Sequence, residues 1–366
     1  MIFELLLTEN CNINCRYCFE GVKKNKSFYV KDVSELINFF HTYVSQSFVL
    51  NKEITVNFNG GEALLEFPLM KELVIYFEKD GINNFSLSTN LILANDEILD
   101  FLNTKKFSVQ ISIDGKKESH DMNRVDFMNK GTFDAVMEKI NLIHNKYPLI
   151  KTSYSMLITP STVAALYENV FFLVNNGCKR LVACYCADYE WDENSILFFK
   201  NELDKIKQLY IQKYIENDMF VFSLFSDCIE SFFKGFGKYN CGGITDQIGI
   251  KTNGDILFCG TFFKCKNESN YLIGNIHTGI DSHKIKELLF LIDKENEDCS
   301  QCSLNFRCHH NCYAINNRVT NDLISPPVIT CEMQKTIIGI SDQIIEFLLK
   351  KNNETFLKQF GTYIKK

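Results

Sequence analysis

The stretch Thr8-Glu9-Asn10-Cys11-Asn12-Ile13-Asn14-Cys15-Arg16-Tyr17-Cys18 decides how this chain is read. Its cysteines are spaced C-x3-C-x2-C. Three thiolates at that spacing can hold three irons of a cubane 4Fe–4S cluster and leave the fourth iron open for chemistry on a small molecule. A structural zinc site would want a fourth ligand, normally from C-x2-C pairs, and none lies nearby in the sequence. Zinc and reduced core thiols remain the bland alternatives. The run before the cysteines, Ile2 to Leu7, is apolar but short and lacks a basic flank, so it reads as a strand and not a signal peptide.

Composition narrows the class. The chain has 366 residues, 46% of them hydrophobic and 23% charged, enough for one large domain plus a smaller one. A net charge of −6 leaves no bulk basic surface for a nucleic-acid backbone. No uncharged stretch is long enough to cross a membrane. Fifteen cysteines without an export signal suggest metal ligands in a reducing compartment, so a cytoplasmic protein is expected, with neither nucleic acid nor membrane as partner.

Working outward from the cysteines, strand-like and helix-like runs alternate. Strands are expected at 3–8, 54–58, 84–89, 108–114, 152–158 and 180–186. Helices are expected at 31–48, 68–80, 95–104, 132–146 and 162–176. Six such repeats predict an α/β fold with a parallel sheet, in which chemistry sits beyond the C-terminal ends of the strands. Cys11, Gly60, Asn90 and Asp114 each follow an expected strand, so they should gather on one face. A helical connector spans 191–235. Glycine, asparagine and cysteine then punctuate 236–331, and an amphipathic helix with Ile337, Ile338, Ile344, Ile345 and Leu348 on one side opens the segment 332–366.

With Tyr17 placed just before its last cysteine, the opening motif resembles the signature of radical S-adenosylmethionine (SAM) enzymes. The resemblance extends over the whole chain. It implies a partial (β/α)6 TIM-type barrel over 1–190, a cluster held by Cys11, Cys15 and Cys18, and SAM bound at the open iron and cleaved to a 5′-deoxyadenosyl radical. Asn59-Gly60-Gly61-Glu62-Ala63 looks like the family's Gly-Gly-Glu-Pro motif with alanine for proline, which implies that Gly60, Gly61 and Glu62 bind SAM, Glu62 through its ammonium. A plain Gly-Gly turn is the alternative. Thr89-Asn90 looks like the family's Thr-Asn-Gly, with Leu91 for glycine, and assigns Asn90 to the SAM site. Ile111-Ser112-Ile113-Asp114-Gly115 and His120-Asp121-Met122-Asn123-Arg124 resemble a stretch of peptide- and protein-modifying members. They imply that Ser112 contacts the SAM ribose or carboxylate and that Arg124 pairs with the carboxylate. His120 and Asp121 are expected to organise a loop, and Thr132 to cap the helix after Gly131.

The later cysteines resemble the SPASM extension, expected over 236–331, which carries auxiliary 4Fe–4S clusters. On that pattern Cys241, Cys259 and Cys312 hold auxiliary cluster I, and Cys299, Cys302, Cys308 and Cys331 hold auxiliary cluster II, for three clusters in all. A pair of zinc sites is the alternative. Cluster I is one ligand short, so it is either open to a substrate group or closed by a remote cysteine such as Cys265 or Cys228. Cys184 and Cys186 lie two apart on the sixth strand and, with Cys178, are core thiols or line the substrate cavity.

SPASM resemblance implies a peptide or protein substrate. The leading expectation is a maturase that cross-links a ribosomally made precursor peptide, with reduced flavodoxin or ferredoxin as electron donor. Cys11 comes so early that leader recognition is expected from a separate protein or from the barrel surface. The alternative is an anaerobic sulfatase-maturing enzyme, making formylglycine from serine or cysteine. Those enzymes typically carry an aspartate base directly after the cysteine here numbered Cys259, and this chain has Gly260. An iron–sulfur protein confined to electron transfer or regulation is the third reading, and would not need Glu62, Ser112 and Arg124.

Overall fold

The computed structural model describes residues 1–18, 33–44, 53–235, 243, 246–265, 267–294, 296–308 and 312–364. The chain forms two compact units. One comprises 1–112, 120–152 and 242–291; the other comprises 113–119, 153–241 and 292–366.

The first unit begins with β1 (Ile2–Thr8), α1 (Val33–Val44), β2 (Thr55–Gly60), α2 (Phe67–Lys79), β3 (Asn84–Thr89), α3 (Asp96–Thr104) and β4 (Ser108–Ser112). After α4 (Lys117–Asn123) and α5 (Phe133–Lys146) comes β5 (Lys151–Ile158). The strands of the first unit pair in parallel from β1 to β4, with Phe3 opposite Val56, Val56 opposite Phe85 and Leu87 opposite Val109. Their side chains alternate with the period of two that a strand imposes. Phe3, Leu5, Val56, Phe58, Phe85, Leu87, Val109 and Ile111 are all 4% exposed or less. Phenylalanine supplies much of the filling on that side: the rings of Phe58, Phe85 and Phe107 stack, and Phe3 lies 4.3 Å from Phe40 of α1. Truncating one such ring to alanine costs about 3–5 kcal/mol. Apart from the buried Leu6 and Thr8, the opposite face is half-buried and polar: Glu4, Asn57, Asn59, Ser86, Ser88, Gln110 and Ser112. Parallel strands covered on both sides are normally apolar on both; here one face has been given over to something other than packing.

In the second unit β5 pairs with β6 (Arg180–Tyr185), joined by α6 (Leu166–Asn175). The expected connector is two helices, α7 (Glu193–Ile215) and α8 (Ser223–Lys234), separated by the short β7 (Val221–Phe222), which pairs with β6. Asp192 caps α7 by accepting from the Ser195 N–H at 2.8 Å. The first unit then gains β8 (Gln247–Ile250), β9 (Asp255–Leu257), β10 (Leu272–Asn275), β11 (Gly279–Ile280) and α9 (Ser282–Ile292). β8 pairs in parallel with β1, placing Gly249 opposite Glu4. The second unit closes with α10 (Glu297–Ser300), α11 (Tyr313–Thr320), α12 (Val328–Lys350) and α13 (Glu354–Ile364).

The expected strand and helix positions match the observed ones to within a few residues where they are described. Two boundaries differ. The last amphipathic helix starts at Val328, because Pro327, with φ −57°, presets the helical entry and has no N–H to lose; Cys331 therefore sits in its first turn. Beyond it, 354–364 form a further helix.

Candidate functional site

The cysteine loop leaves β1 at the fully buried Thr8, whose hydroxyl accepts from the Asn10 N–H at 3.1 Å. Neighbouring backbone pins it from two sides. Gly61 and Glu62 donate to the Thr8 and Asn10 carbonyls at 2.9 and 2.8 Å, while Asn14 and Arg16 donate to Val125 and Asn123 at 2.7 and 2.8 Å. Ile13 and Tyr17 are buried beneath it, and Cys11, Cys15 and Cys18 are each half-buried. Ordered backbone with three partly accessible sulfurs fits a cubane held at three corners.

The two glycines of the next motif explain that pinning. A β-carbon on Gly61 would overlap the Asn10 carbonyl, and one on Gly60 would come within 2.9 Å of the Thr8 carbonyl oxygen. They let backbone approach backbone, and not only a ligand as expected from the motif. Glu62 is 1% exposed. Its Oε1 accepts from the Leu64 N–H at 3.0 Å and the Thr89 hydroxyl at 2.7 Å, and its Oε2 from the Asn90 N–H at 2.8 Å. Burial raises its pKa against those three donors. The carboxylate thus fastens the loop after β2 to the end of β3, a task additional to the SAM contact expected of it. Asn90 continues the chain of contacts: its amide nitrogen donates to Asn12 Oδ1 at 2.8 Å and reaches Cys11 Sγ at 3.9 Å. Leu91 has φ +67° and is fully buried. A left-handed residue is required there, and leucine accepts the strain because its side chain packs.

Arg124 is 6% exposed and lies over the Tyr17 ring, 5.3 Å to the centroid. The Thr132 hydroxyl donates to the Arg124 carbonyl at 3.0 Å and meets His120 Nε2 at 3.0 Å. With that hydroxyl proton committed, Nε2 carries a proton and donates; burial, then the nearby Arg124 charge, lowers the His120 pKa to about 3, which keeps the ring neutral. Asp121, not Thr132, caps α5, accepting from the Phe133 N–H at 2.9 Å. Gly131 is glycine because a β-carbon would overlap Asp121. His120 and Asp121 organise the loop, as expected. Among the described residues the buried Asn123 Nδ2 has no partner. An orphan donor beside a buried guanidinium and the cysteine loop fits a ligand with carboxylate and hydroxyl oxygens, as SAM has. Ser112 lies half-buried on the polar face. Asp114, in the second unit, accepts from the Leu157 N–H at 3.1 Å.

In the second unit Cys299, Cys302, Cys308 and Cys331 line one cavity of about 420 Å³. Burial raises the pKa of the Cys331 thiol, with Cys302 among its neighbours; binding a cluster would take its proton. Among the described residues no three His, Cys, Asp or Glu side chains close on a point as one metal ion demands. A cubane carries its ligands on separate irons and holds them farther apart. Four cysteines around one cavity are a donor set that a cluster or a zinc ion could take.

The set expected for auxiliary cluster I is described only in part. Cys312 precedes α11 in the second unit, Cys259 belongs to the first, and Cys241 lies outside the described residues. Cys265 flanks the same short turn as Cys259, as expected. Cys228 is buried on α8, where Arg307 and Cys308 are among the charges acting on it, so it neighbours the other cysteine set. β6 ends at Tyr185; Cys184 is exposed and Cys186 buried, and Asp188 and Arg318 act on both thiols. One polar residue went unnoticed in the sequence: Glu4, whose signal is a single acid inside the apolar run Phe3-Glu4-Leu5-Leu6-Leu7.

Residues 5–170 match the Radical SAM superfamily. The chain carries a radical SAM domain. It is 23% identical over 328 residues to a cysteine-type anaerobic sulfatase-maturating enzyme of Clostridium novyi (strain NT), covering 83% of this chain and 85% of that protein. Among solved structures it superposes on native anSMEcpe with bound AdoMet and Cp18Cys peptide, with a TM-score of 0.78, 20% identity, and coverage of 96% of this chain and 99% of the other. Streptococcus suis SuiB bound to precursor peptide SuiA gives a TM-score of 0.62 at 15% identity, covering 90% and 75%. No helix among the described residues is long and apolar enough to cross a membrane.

Proposed function

We propose that this radical SAM enzyme oxidises a cysteine or serine within a protein substrate to formylglycine. The observation that carries the reading is its match, across more than four-fifths of both chains, to a cysteine-type sulfatase-maturating enzyme. This reverses the order expected from sequence, where a peptide cross-linking maturase led. On this reading Cys11, Cys15 and Cys18 hold the cluster that binds SAM. Tyr17, Gly60, Gly61, Glu62, Asn90, Ser112 and Arg124 surround SAM, Arg124 as partner of its carboxylate. When bound, SAM supplies a radical able to take a hydrogen atom from an unactivated carbon. Residues 1–190 form the partial barrel and 236–331 the SPASM extension. Cys299, Cys302, Cys308 and Cys331 hold auxiliary cluster II, and Cys241, Cys259 and Cys312 hold cluster I. Reduced flavodoxin or ferredoxin delivers the electron.

The test is anaerobic: reconstituted, reduced protein is incubated with SAM and a sulfatase-derived peptide bearing the target cysteine, and the product is analysed by mass spectrometry. An aldehyde trapped by a hydrazine is the expected result. Cross-linking, the second reading, has its own support in the fold shared with SuiB. An unmodified sulfatase peptide, alongside a cross-linked cysteine- or aromatic-bearing precursor, would overturn the first reading in its favour.

A further inference from the structure

Glu4 belongs to none of the roles above. It is the one ionisable side chain in the four strands β1 to β4. It lies on the polar face, where its strand partner Asn57 and the next residue along, Ser86, are neutral. Its carboxylate accepts from the Gly260 backbone N–H and from the Asn57 side chain. Asn57 Oδ1 in turn accepts from the Ser86 hydroxyl at 3.0 Å, which orients the amide nitrogen toward Glu4.

Glycines clear the space around it. A β-carbon on Gly260 would overlap the Glu4 carboxylate. One on Gly249, the partner of Glu4 across β1 and β8, would come within 2.6 Å of the Phe263 ring and 2.9 Å of the Gly260 Cα. A carboxylate from β1 thus occupies the volume that a side chain at 260 would take. Burial raises its pKa, and its two hydrogen bonds only partly offset that. A folded chain needing only to fill this volume would do better with a neutral side chain, since desolvating a charge is costly.

We propose that Glu4 is the proton acceptor of the oxidation, directed from β1 across the polar face at the Gly260 gap. The inference rests on the reading that a peptide thiol or hydroxyl is the group oxidised. In that reaction the substrate's β-carbon loses one hydrogen as an atom to the radical that SAM supplies. The adjacent S–H or O–H proton passes to a Glu4 oxygen, one electron passes to an iron–sulfur cluster, and a C=S or C=O bond forms. Water converts a thioaldehyde to the aldehyde with release of hydrogen sulfide. Joining a thiol to a carbon radical sheds the same proton and electron, so the role does not depend on which product is made.

The test uses the cluster-loaded protein, a β-deuterated cysteine form of the sulfatase peptide, and the variants Glu4→Gln and Glu4→Ala/Gly260→Asp. Gly260 does not have a positive φ, so aspartate is admissible there once Glu4 is shortened. Glu4→Gln should melt no lower than the parent and still transfer deuterium into 5′-deoxyadenosine. Its yield of oxidised peptide should fall about 100-fold or more, the range of general base catalysis. The double variant should recover part of that yield, because the carboxylate returns from the opposite side. Product within a few-fold of the parent in Glu4→Gln, or a lower melting temperature with both products falling together, would make Glu4 a structural prop and overturn the proposal. If the parent leaves the sulfatase peptide untouched, the substrate reading fails by itself. The melting comparison still decides Glu4: an equal or higher value for Glu4→Gln supports the role, and a lower one removes it.

Discussion

The loop carrying Cys11, Cys15 and Cys18 is held by polypeptide: backbone bonds from Gly61, Glu62, Asn14 and Arg16, with Asn90 reaching Cys11. Cys299, Cys302, Cys308 and Cys331 instead come from short, separate elements around a cavity of about 420 Å³. The first arrangement is complete without a cluster; in the second, the cluster would be part of the core. A site that must keep an iron open needs ligands placed in advance, whereas a fully ligated cluster can serve as a staple.

The largest expected effect tests that contrast directly. Changing Cys11, Cys15 and Cys18 to alanine should remove about four of about twelve irons and leave the melting temperature close to the parent's. Changing Cys299, Cys302, Cys308 and Cys331 to alanine should remove a similar amount of iron and cost several kcal/mol. For a chain of this size that is a fall on the order of 10 °C or more. Iron analysis with differential scanning calorimetry checks both. Equal melting temperatures for the two variants would break the comparison.

A smaller effect sharpens it. Glu62 satisfies three donors from its buried position, so Glu62→Ala should destabilise even the cluster-free chain by about 2–5 kcal/mol, chiefly through the donors it orphans. Denaturant titration in the absence of SAM measures this. A carboxylate serving SAM alone would leave that titration unchanged and show only as lost SAM affinity.

Much of this was legible in the sequence, for a physical reason. Strands and helices announce themselves by local periodicity, and the opening cysteines by spacing, so β1 to β6 and the cysteine loop could be placed from neighbours along the chain. What could not be read depends on residues far apart. Gly61 is glycine because of Asn10, Gly131 because of Asp121, and Gly260 because of Glu4. In sequence Gly61 and Gly131 read as motif residues and Gly260 as a missing aspartate, because none of the three partners is a neighbour along the chain. The helix cap failed likewise: Thr132 has the right chemistry at the right position, but its hydroxyl is spent on Arg124, and Asp121 does the capping. Sequence spacing located the groups, and tertiary packing decided their tasks.

The smallest effect concerns the support behind Arg124. His120 is fully buried and neutral, with a pKa lowered to about 3 by burial and then by Arg124. In the unfolded chain it titrates near 6.5. Between those values the unfolded state binds the extra proton, so the stability this histidine contributes is fully present above about pH 6.5 and is lost as the pH falls toward 3. Between pH 7 and pH 5 the loss amounts to about 2 kcal/mol. His120→Gln keeps a donor toward Thr132 and does not titrate. It should lower stability at pH 7, because the imidazole's packing is gone, yet flatten the acid side of the profile by about 2 kcal/mol. Urea denaturation of cluster-free protein at pH 7, 6 and 5 supplies the curve, with no cluster to be lost in acid. Because His120 and Thr132 hold the segment that pairs with Asn14 and Arg16, mild acid should loosen the cysteine loop before the C-terminal cavity. Amide exchange at Asn14 and Arg16 rising ahead of exchange in α12 is the expected order, and the reverse order would mean that the preformed loop is the more durable of the two regions.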